Sequence, residues 1–251
     1  MQISRISVIT VCYNSEKTIR RTIESVLNQT EAPFEHIFVD GASCDNTVKT
    51  IEEYKSQYEE RNILLRVISE PDEGYYDAMN KGVHTANGDI IGILNSDDYY
   101  EKNALEILRK YTTANSEADI FMGAIYIHNG QQIIRKQAKN TKYYQTSRHF
   151  NHPAMFAKIG AYRDVGDYVN GNVHNDYGWY LKALKMEKKV CIIPDVLTNF
   201  TIGGESSRKS FKNTIKRIKL KYQTYRENGY SALYIIECVG QELVKYLLLK
   251  R

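Results

Sequence analysis

Two adjacent carboxylates close an apolar run in Leu94-Asn95-Ser96-Asp97-Asp98. Carboxylates held side by side repel one another, and a divalent cation relieves that repulsion. Mg2+ or Mn2+ commonly takes one or two protein carboxylates and completes its shell with water and phosphate oxygens. Taken alone, the same four residues also read as an acidic turn before the helix that starts near Asn103. Three other polar strand ends favour the site reading. Tyr13-Asn14 follows the run 6–11, Asp40 follows 36–39, and Glu70 and Asp72 follow 63–68. Open α/β sheets bind ligands beyond the carboxyl ends of their strands. Tyr13, Asn14, Asp40, Asp72, Asn95, Ser96, Asp97 and Asp98 are therefore expected to line one cleft.

Other residues could act beside them. Asp40 could accept a hydrogen bond from a base N–H or a ribose hydroxyl, whereas Ser43, Asp45 and Thr47 read as turn and cap hydrogen-bonders. Asp77, Asn80 and Lys81 stand at i, i+3 and i+4, which puts an acid, an amide and an amine on one helix face. They either satisfy one another or leave Lys81 aimed at a phosphate. Asp176 opens a helix three residues before the only tryptophan, Trp179, and a cap is its plainer reading. His152 precedes a proline, and Gly203-Gly204 marks a flexible loop or a close backbone approach.

The elements that must position these groups alternate. Apolar β-branched runs at 6–11, 36–40, 63–68 and 89–94 read as strands. Between them, helical spacing predicts helices over 15–29, from Thr47 past Tyr58, and over 75–86. A helix at 103–111 and a strand at 120–127 continue the pattern. The Asn129-Gly130 turn predicts a hairpin over 125–134. A helix over 176–184, a last strand over 190–194 and two basic helices after Ser207, broken near Asn228-Gly229, complete the chain. Alternation of this kind implies right-handed crossovers and a mostly parallel, three-layer α/β/α sheet.

Composition narrows the class. With 42% hydrophobic and 25% charged residues in 251, the chain has the makings of a packed core and is neither disordered nor collagen-like. Four widely spaced cysteines fit neither a zinc site nor a disulfide framework, so carboxylates would have to hold any metal. No signal segment or spanning run is evident, and a cytoplasmic protein is expected. The net charge of +4 is uneven: residues 208–251 hold 11 basic against 3 acidic residues. That surplus suggests an anionic partner, such as a membrane surface, or merely a solvated helix; no nucleic acid is expected. Leu233, Ile236, Gly240, Leu243 and Leu247 recur at three- and four-residue steps, which suits an amphipathic helix on anionic lipid or one packed on the body or in a homodimer.

Five motifs, in order and spacing over residues 6–100, carry a resemblance. They are Val8-Ile9-Thr10-Val11-Cys12-Tyr13-Asn14, residues 40–47, residues 72–82, Ala86-Asn87-Gly88-Asp89 and Leu94-Asn95-Ser96-Asp97-Asp98. With them the chain resembles the family 2 glycosyltransferases of the GT-A fold, closely the bacterial colanic-acid type that builds cell-surface polysaccharides. The resemblance implies a Rossmann-like GT-A domain with a donor half (1–110), an acceptor half (111–206) and a basic helical tail (207–251). It implies Tyr13 against the base, Asp40 on base or ribose, Asp97 on Mn2+ or Mg2+ with Asp98 assisting, and Asp176 as general base. Asn95 and Asn175 depart from the family's acidic residues at those positions. The segment 200–206 is similar to a loop that closes over the donor, and His152 and Trp179 fall on the acceptor side.

The implied reaction is an inverting, metal-dependent hexosyl or N-acetylhexosaminyl transfer from a nucleoside diphosphate sugar, UDP by family habit. The acceptor would be a glycan or lipid-linked hydroxyl, with the enzyme cytoplasmic or peripheral on the inner membrane face. A sugar nucleotidyltransferase shares the metal logic but usually has a glycine-rich basic loop after strand one, unlike Tyr13-Asn14-Ser15-Glu16-Lys17. A non-catalytic nucleotide-binding scaffold is the reading from a different class.

Overall fold

The computed structural model describes residues 4–141, 144–202 and 211–248. The first half alternates as the sequence predicts: β1 (Ile6–Cys12), α1 (Ile19–Leu27), β2 (Glu35–Asp40), α2 (Thr47–Glu52), α3 (Lys55–Glu60), β3 (Leu64–Ser69), α4 (Tyr75–Thr85) and β4 (Ile90–Asn95). The second half holds β5 (Tyr99–Tyr100), α5 (Ala104–Ala114), β6 (Ile120–Asn129), β7 (Gln132–Lys136), β8 (Met155–Lys158), α6 (Ile159–Val165), α7 (Asn175–Lys185) and β9 (Val190–Thr201). The tail forms α8 (Phe211–Glu227) and α9 (Tyr234–Leu248).

One sheet runs in the order β3-β2-β1-β4-β8-β6-β9-β5, with β7 on β6. The strands β3, β2, β1 and β4 are mutually parallel, while β8, β7 and β5 pair antiparallel, so the expected parallel sheet becomes mixed beyond β4. Register sets the site: Cys12 pairs with Asp40, Asp40 with Ser69, and Val11 with Asn95, which brings four carboxyl ends level.

Both faces of β1 are buried, as its unbroken apolar run requires. Ile9 and Val11 pack with Met79 and Val83 of α4, while Val8 joins Leu105 and Leu108 of α5. Phe38 lies with Ile19, Ile23, Ile51 and Tyr58 from α1, α2 and α3. Each such side chain contributes about 1.5–3 kcal/mol on burial. Gly82 lets α4 lie directly on β1, since a Cβ there would meet Ile9 Cγ2 at 2.4 Å. The Ala86-Asn87-Gly88-Asp89 motif is likewise structural. Buried Glu35 accepts from Asn87 N at 2.6 Å and from Ser7 Oγ at 2.7 Å, and Ser7 Oγ in turn accepts from Gly88 N.

Beyond the unexpected β5, β8 and α6, two of the departures from expectation have a plain local cause. The single helix after Thr47 is two, because the chain tightens at Tyr54, whose N–H bonds Ile51 O. The last strand continues seven residues past Pro194, which sits where the β6–β9 register slips between Met122 and Ala124. Proline is tolerated at such irregularities because no ladder donor is needed there.

The tail helices pack as a hairpin. Arg217 Nε lies 2.8 Å and Lys221 Nζ 3.2 Å from the buried Glu242 carboxylate, and Asn172 Nδ2 donates to Leu220 O to hold α8 beside α7. Lys212, Lys216, Lys219 and Arg226 lie on the outer face of α8. Ile236, Gly240 and Leu243 lie on the outer face of α9, and Leu233 is exposed just before it. Among the described residues no helix is long and apolar enough to cross a membrane, and all four cysteines are free thiols.

His36 lies buried between Thr10 Oγ1 at 2.9 Å and Tyr58 OH at 2.7 Å. Burial pulls its imidazole down from 6.5 to about 3, so the folded protein holds it neutral. The unfolded chain then binds more protons from about pH 6.5 down to 3, and stability falls as pH falls through that window. A loss of about 2 kcal/mol is expected between pH 7 and pH 5. His36→Gln should flatten that part of the profile; urea titrations at the two pH values check it, and an equally steep profile would assign the loss elsewhere.

Candidate active site

The candidate site lies where β1, β2, β3 and β4 end. Asn14, at φ +48°, turns the chain out of β1; its Oδ1 accepts from Cys44 N and its N–H donates to Ser43 Oγ, which locks the first two strand-end loops together. Ser15 Oγ lies 2.8 Å from Ser96 Oγ and ties in the fourth loop. Tyr13 is left on the rim with its ring 62% exposed. Gly41 lets the third loop approach: a Cβ there would meet Asp72 Oδ2 at 2.5 Å and Tyr13 Cδ2 at 3.4 Å. Tyr13, Gly41 and Asp72 therefore converge on one wall.

Asp40, expected against base or ribose, ends β2. It is fully buried, and its carboxylate accepts from Ser43 N at 2.9 Å, from Ser43 Oγ, from Ser69 Oγ at 2.7 Å and from the Cys12 thiol. It builds the loop on which Gly41 stands. Asp72 Oδ1 accepts from Gly74 N at 2.8 Å and shapes the turn into α4. Asp77 and Lys81 realise the self-satisfied alternative: Lys81 Nζ lies 2.9 Å from Glu70 and 3.2 Å from Asp77, and donates to Pro71 O. Asn80 is also structural, with both its amide atoms bonded to the Tyr168 backbone.

Asp97 and Asp98 part company. Asp98 is fully buried, its oxygens accepting from Thr201 N at 3.1 Å and Asn95 Nδ2 at 3.3 Å. Burial first, then the charge of Asp97, pushes its carboxyl up to about 8. Its carboxylate closes β9 onto the loop. Asp97 is only partly buried, and no side chain among the described residues bonds its carboxylate. Burial raises it above the usual carboxylate range. Arg21 reaches over from α1, stacks 4.4 Å above the Tyr99 ring, and donates to Asp97 O and Thr201 Oγ1.

A half-desolvated carboxylate with no side-chain partner among the described residues suits a hard divalent ion that draws its other ligands from water and phosphate. No cluster of three or more histidine, cysteine or acidic residues could hold a metal among the described residues. The donor set therefore fits an ion held by one protein carboxylate and a bound diphosphate, not a self-contained metal centre.

Asp176, in the first turn of α7, meets the donor side through Tyr76 of α4. The Tyr76 hydroxyl donates to Asp176 Oδ1 at 3.2 Å and accepts from Asp176 N at 2.9 Å. Tyr177 N also donates to Oδ1, at 2.7 Å, while Oδ2 has no hydrogen-bond partner among the described residues. His152 is buried near this group. Desolvation lowers its imidazole pKa, with the Asp176 charge opposing, and its Nε2 has no partner among the described residues. Trp179, expected on the acceptor side, points into the core, packs 4.7 Å from the Tyr162 ring, and donates its N–H to Gly166 O. Asn175 is buried and anchors the loop at Val169. Gly203 and Gly204 lie outside the described residues.

Sequence reasoning missed Tyr76 and Arg21. Their partners lie 100 and 76 residues away, and only the paired tyrosines at 75–76 and paired arginines at 20–21 mark them in the chain.

Residues 7–167 match the family described as "Glycosyl transferase family 2". The UDP-Gal:alpha-D-GlcNAc-diphosphoundecaprenol beta-1,3-galactosyltransferase of Escherichia coli is 26% identical over 256 residues, covering 97% of this chain and 92% of that protein. The poly(ribitol-phosphate) beta-glucosyltransferase of Bacillus spizizenii is 31% identical over 140 residues, 55% of this chain and 22% of that one. Among solved structures, S. aureus TarS 1-349 in complex with UDP superposes with a TM-score of 0.70 at 18% identity, covering 98% of this chain and 73% of the other. The mannosyltransferase PcManGT from Pyrobaculum calidifontis, in complex with GDP-Man and Mn2+, gives 0.68 at 16% identity, covering 99% and 71%. These likenesses establish the fold as GT-A.

Proposed function

The chain belongs to glycosyl transferase family 2, and on that premise we propose that it moves a hexose or N-acetylhexosamine from a UDP-sugar to a hydroxyl of a lipid-linked or polysaccharide acceptor, with inversion. The observation that carries this reading is a pair of carboxylate groups without a side-chain partner among the described residues, Asp97 after β4 and the Oδ2 atom of Asp176 in the first turn of α7. The relative that acts on a diphosphoundecaprenol acceptor, similar over nearly its whole length, supports the acceptor class. The UDP complex of TarS supports the donor.

In this reading residues 1–110 hold the donor and residues 111–206 bring the acceptor. Tyr13 offers its exposed ring to the base, and the Gly41–Asp72 wall closes beside it. Asp97 would hold Mn2+ or Mg2+ together with the diphosphate; such an ion supplies Lewis-acid neutralisation of the departing diphosphate. Asp176 Oδ2 takes the proton of the acceptor hydroxyl as that oxygen attacks the anomeric carbon opposite the leaving group. One displacement inverts the centre. No second carboxylate nucleophile is needed.

The test is an acceptor-dependent release of UDP. With UDP-galactose, UDP-glucose or UDP-N-acetylglucosamine, Mn2+ and a lipid-diphosphate-linked GlcNAc acceptor, the α-linked donor should give a β-linked product, read by proton NMR couplings. An α-linked product would contradict direct displacement. No acceptor-dependent release with any UDP, GDP or dTDP sugar would contradict the transferase reading.

A further inference from the structure

We infer that Tyr76 is a positioning residue that fixes the Asp176 carboxylate so that only Oδ2 is free to receive the acceptor proton. This rests on the reading of Asp176 as the base. The geometry is specific. One hydroxyl both donates to Oδ1 and accepts from the N–H of the same residue, so it holds the carboxylate and the first turn of α7 in one ring of contacts. With Tyr177 N also on Oδ1, that oxygen has two donors and its partner oxygen none among the described residues. A base so arranged has lost its rotational choice before the acceptor arrives.

Tyr76 is itself held rigidly. It is 3% exposed, its ring lies 4.2 Å from that of Tyr75, and it stacks at 5.8 Å and 17° on Tyr168. Asn80, one turn further along α4, pins the Tyr168 backbone on both sides of its amide. Tyr76 also stands two residues after the Asp72–Gly74 turn that shapes the donor wall. The same side chain thus joins the donor loop to the base. Burial, reinforced by the Asp176 charge, keeps its phenol protonated and able to donate. The titratable groups around the pair are Tyr75, Tyr168 and His152, and burial disfavours the charged form of each.

Tyr76→Phe keeps the ring and removes the hydroxyl. We expect kcat to fall roughly 10- to 100-fold, the size of effect that modest misplacement of a reacting group produces. The affinity for UDP with Mn2+ should stay within about twofold of native, because no donor contact is removed. A kcat within about twofold of native would overturn the inference. A loss of UDP affinity as large as the loss of kcat would also overturn it, by assigning Tyr76 a purely structural role. Failure of Asp176 as base would show separately, as normal turnover in Asp176→Asn.

Discussion

Asp176→Asn is expected to lower kcat by about 100- to 10,000-fold, the range over which a positioned general base accelerates proton transfer. The substitution is nearly isosteric and leaves the amide free to keep the Tyr76 and Tyr177 contacts on its oxygen. What it removes is the basic oxygen at the Oδ2 position. Binding of UDP with Mn2+ should therefore be unchanged, because among the described residues Tyr76 alone hydrogen-bonds Asp176 from the donor half. Initial rates at saturating donor, paired with nucleotide titration, separate these outcomes. Native turnover in the variant would remove Asp176 from the chemistry and leave His152, the nearby buried imidazole with a free Nε2 among the described residues, as the next base to test.

Asp97→Ala carries the second large effect. Its carboxylate is the one acidic group of the fourth loop left without a side-chain partner among the described residues, whereas Asp98 is committed to Thr201 and Asn95. Turnover should fall at least about 1,000-fold, and raising Mn2+ should not restore it, because the metal is a template that both orients and neutralises the leaving group. The fold should survive, since Asp97 is held through its carbonyl by Arg21 and not through its carboxylate. Rates across a Mn2+ series check this. Recovery at high Mn2+ would mean that Asp97 only tunes affinity and that another group holds the ion.

The first half of the fold was legible because its physics is local. Strands such as β1 and β4 are buried on both faces and read as unbroken apolar runs, and each ends at a polar residue that the shared register brings level. The cleft followed from that register, so Tyr13, Asn14, Asp72, Ser96 and Asp97 came out at one edge. What local pattern could not separate is which of two like neighbours faces the cleft. Asp97 and Asp98 are chemically identical, and only the return of β9 to Thr201 buries the second. Trp179, three residues after Asp176 in α7, packs on Tyr162 and bonds Gly166 O, contacts that no local pattern announces. Pro194 looked like a strand end because proline breaks ladders, yet the slip in register absorbs it. Tyr76 was invisible for want of any signal linking it to Asp176, 100 residues on.

The division of labour between the two carboxylates is tested most directly by calorimetric titration of UDP into native, Asp97→Ala and Asp176→Asn proteins, each with and without Mn2+. The account predicts that Mn2+ tightens UDP binding in the native and Asp176→Asn proteins and has no effect in Asp97→Ala. Equal enhancement by Mn2+ in all three, or its loss in Asp176→Asn alone, would contradict it.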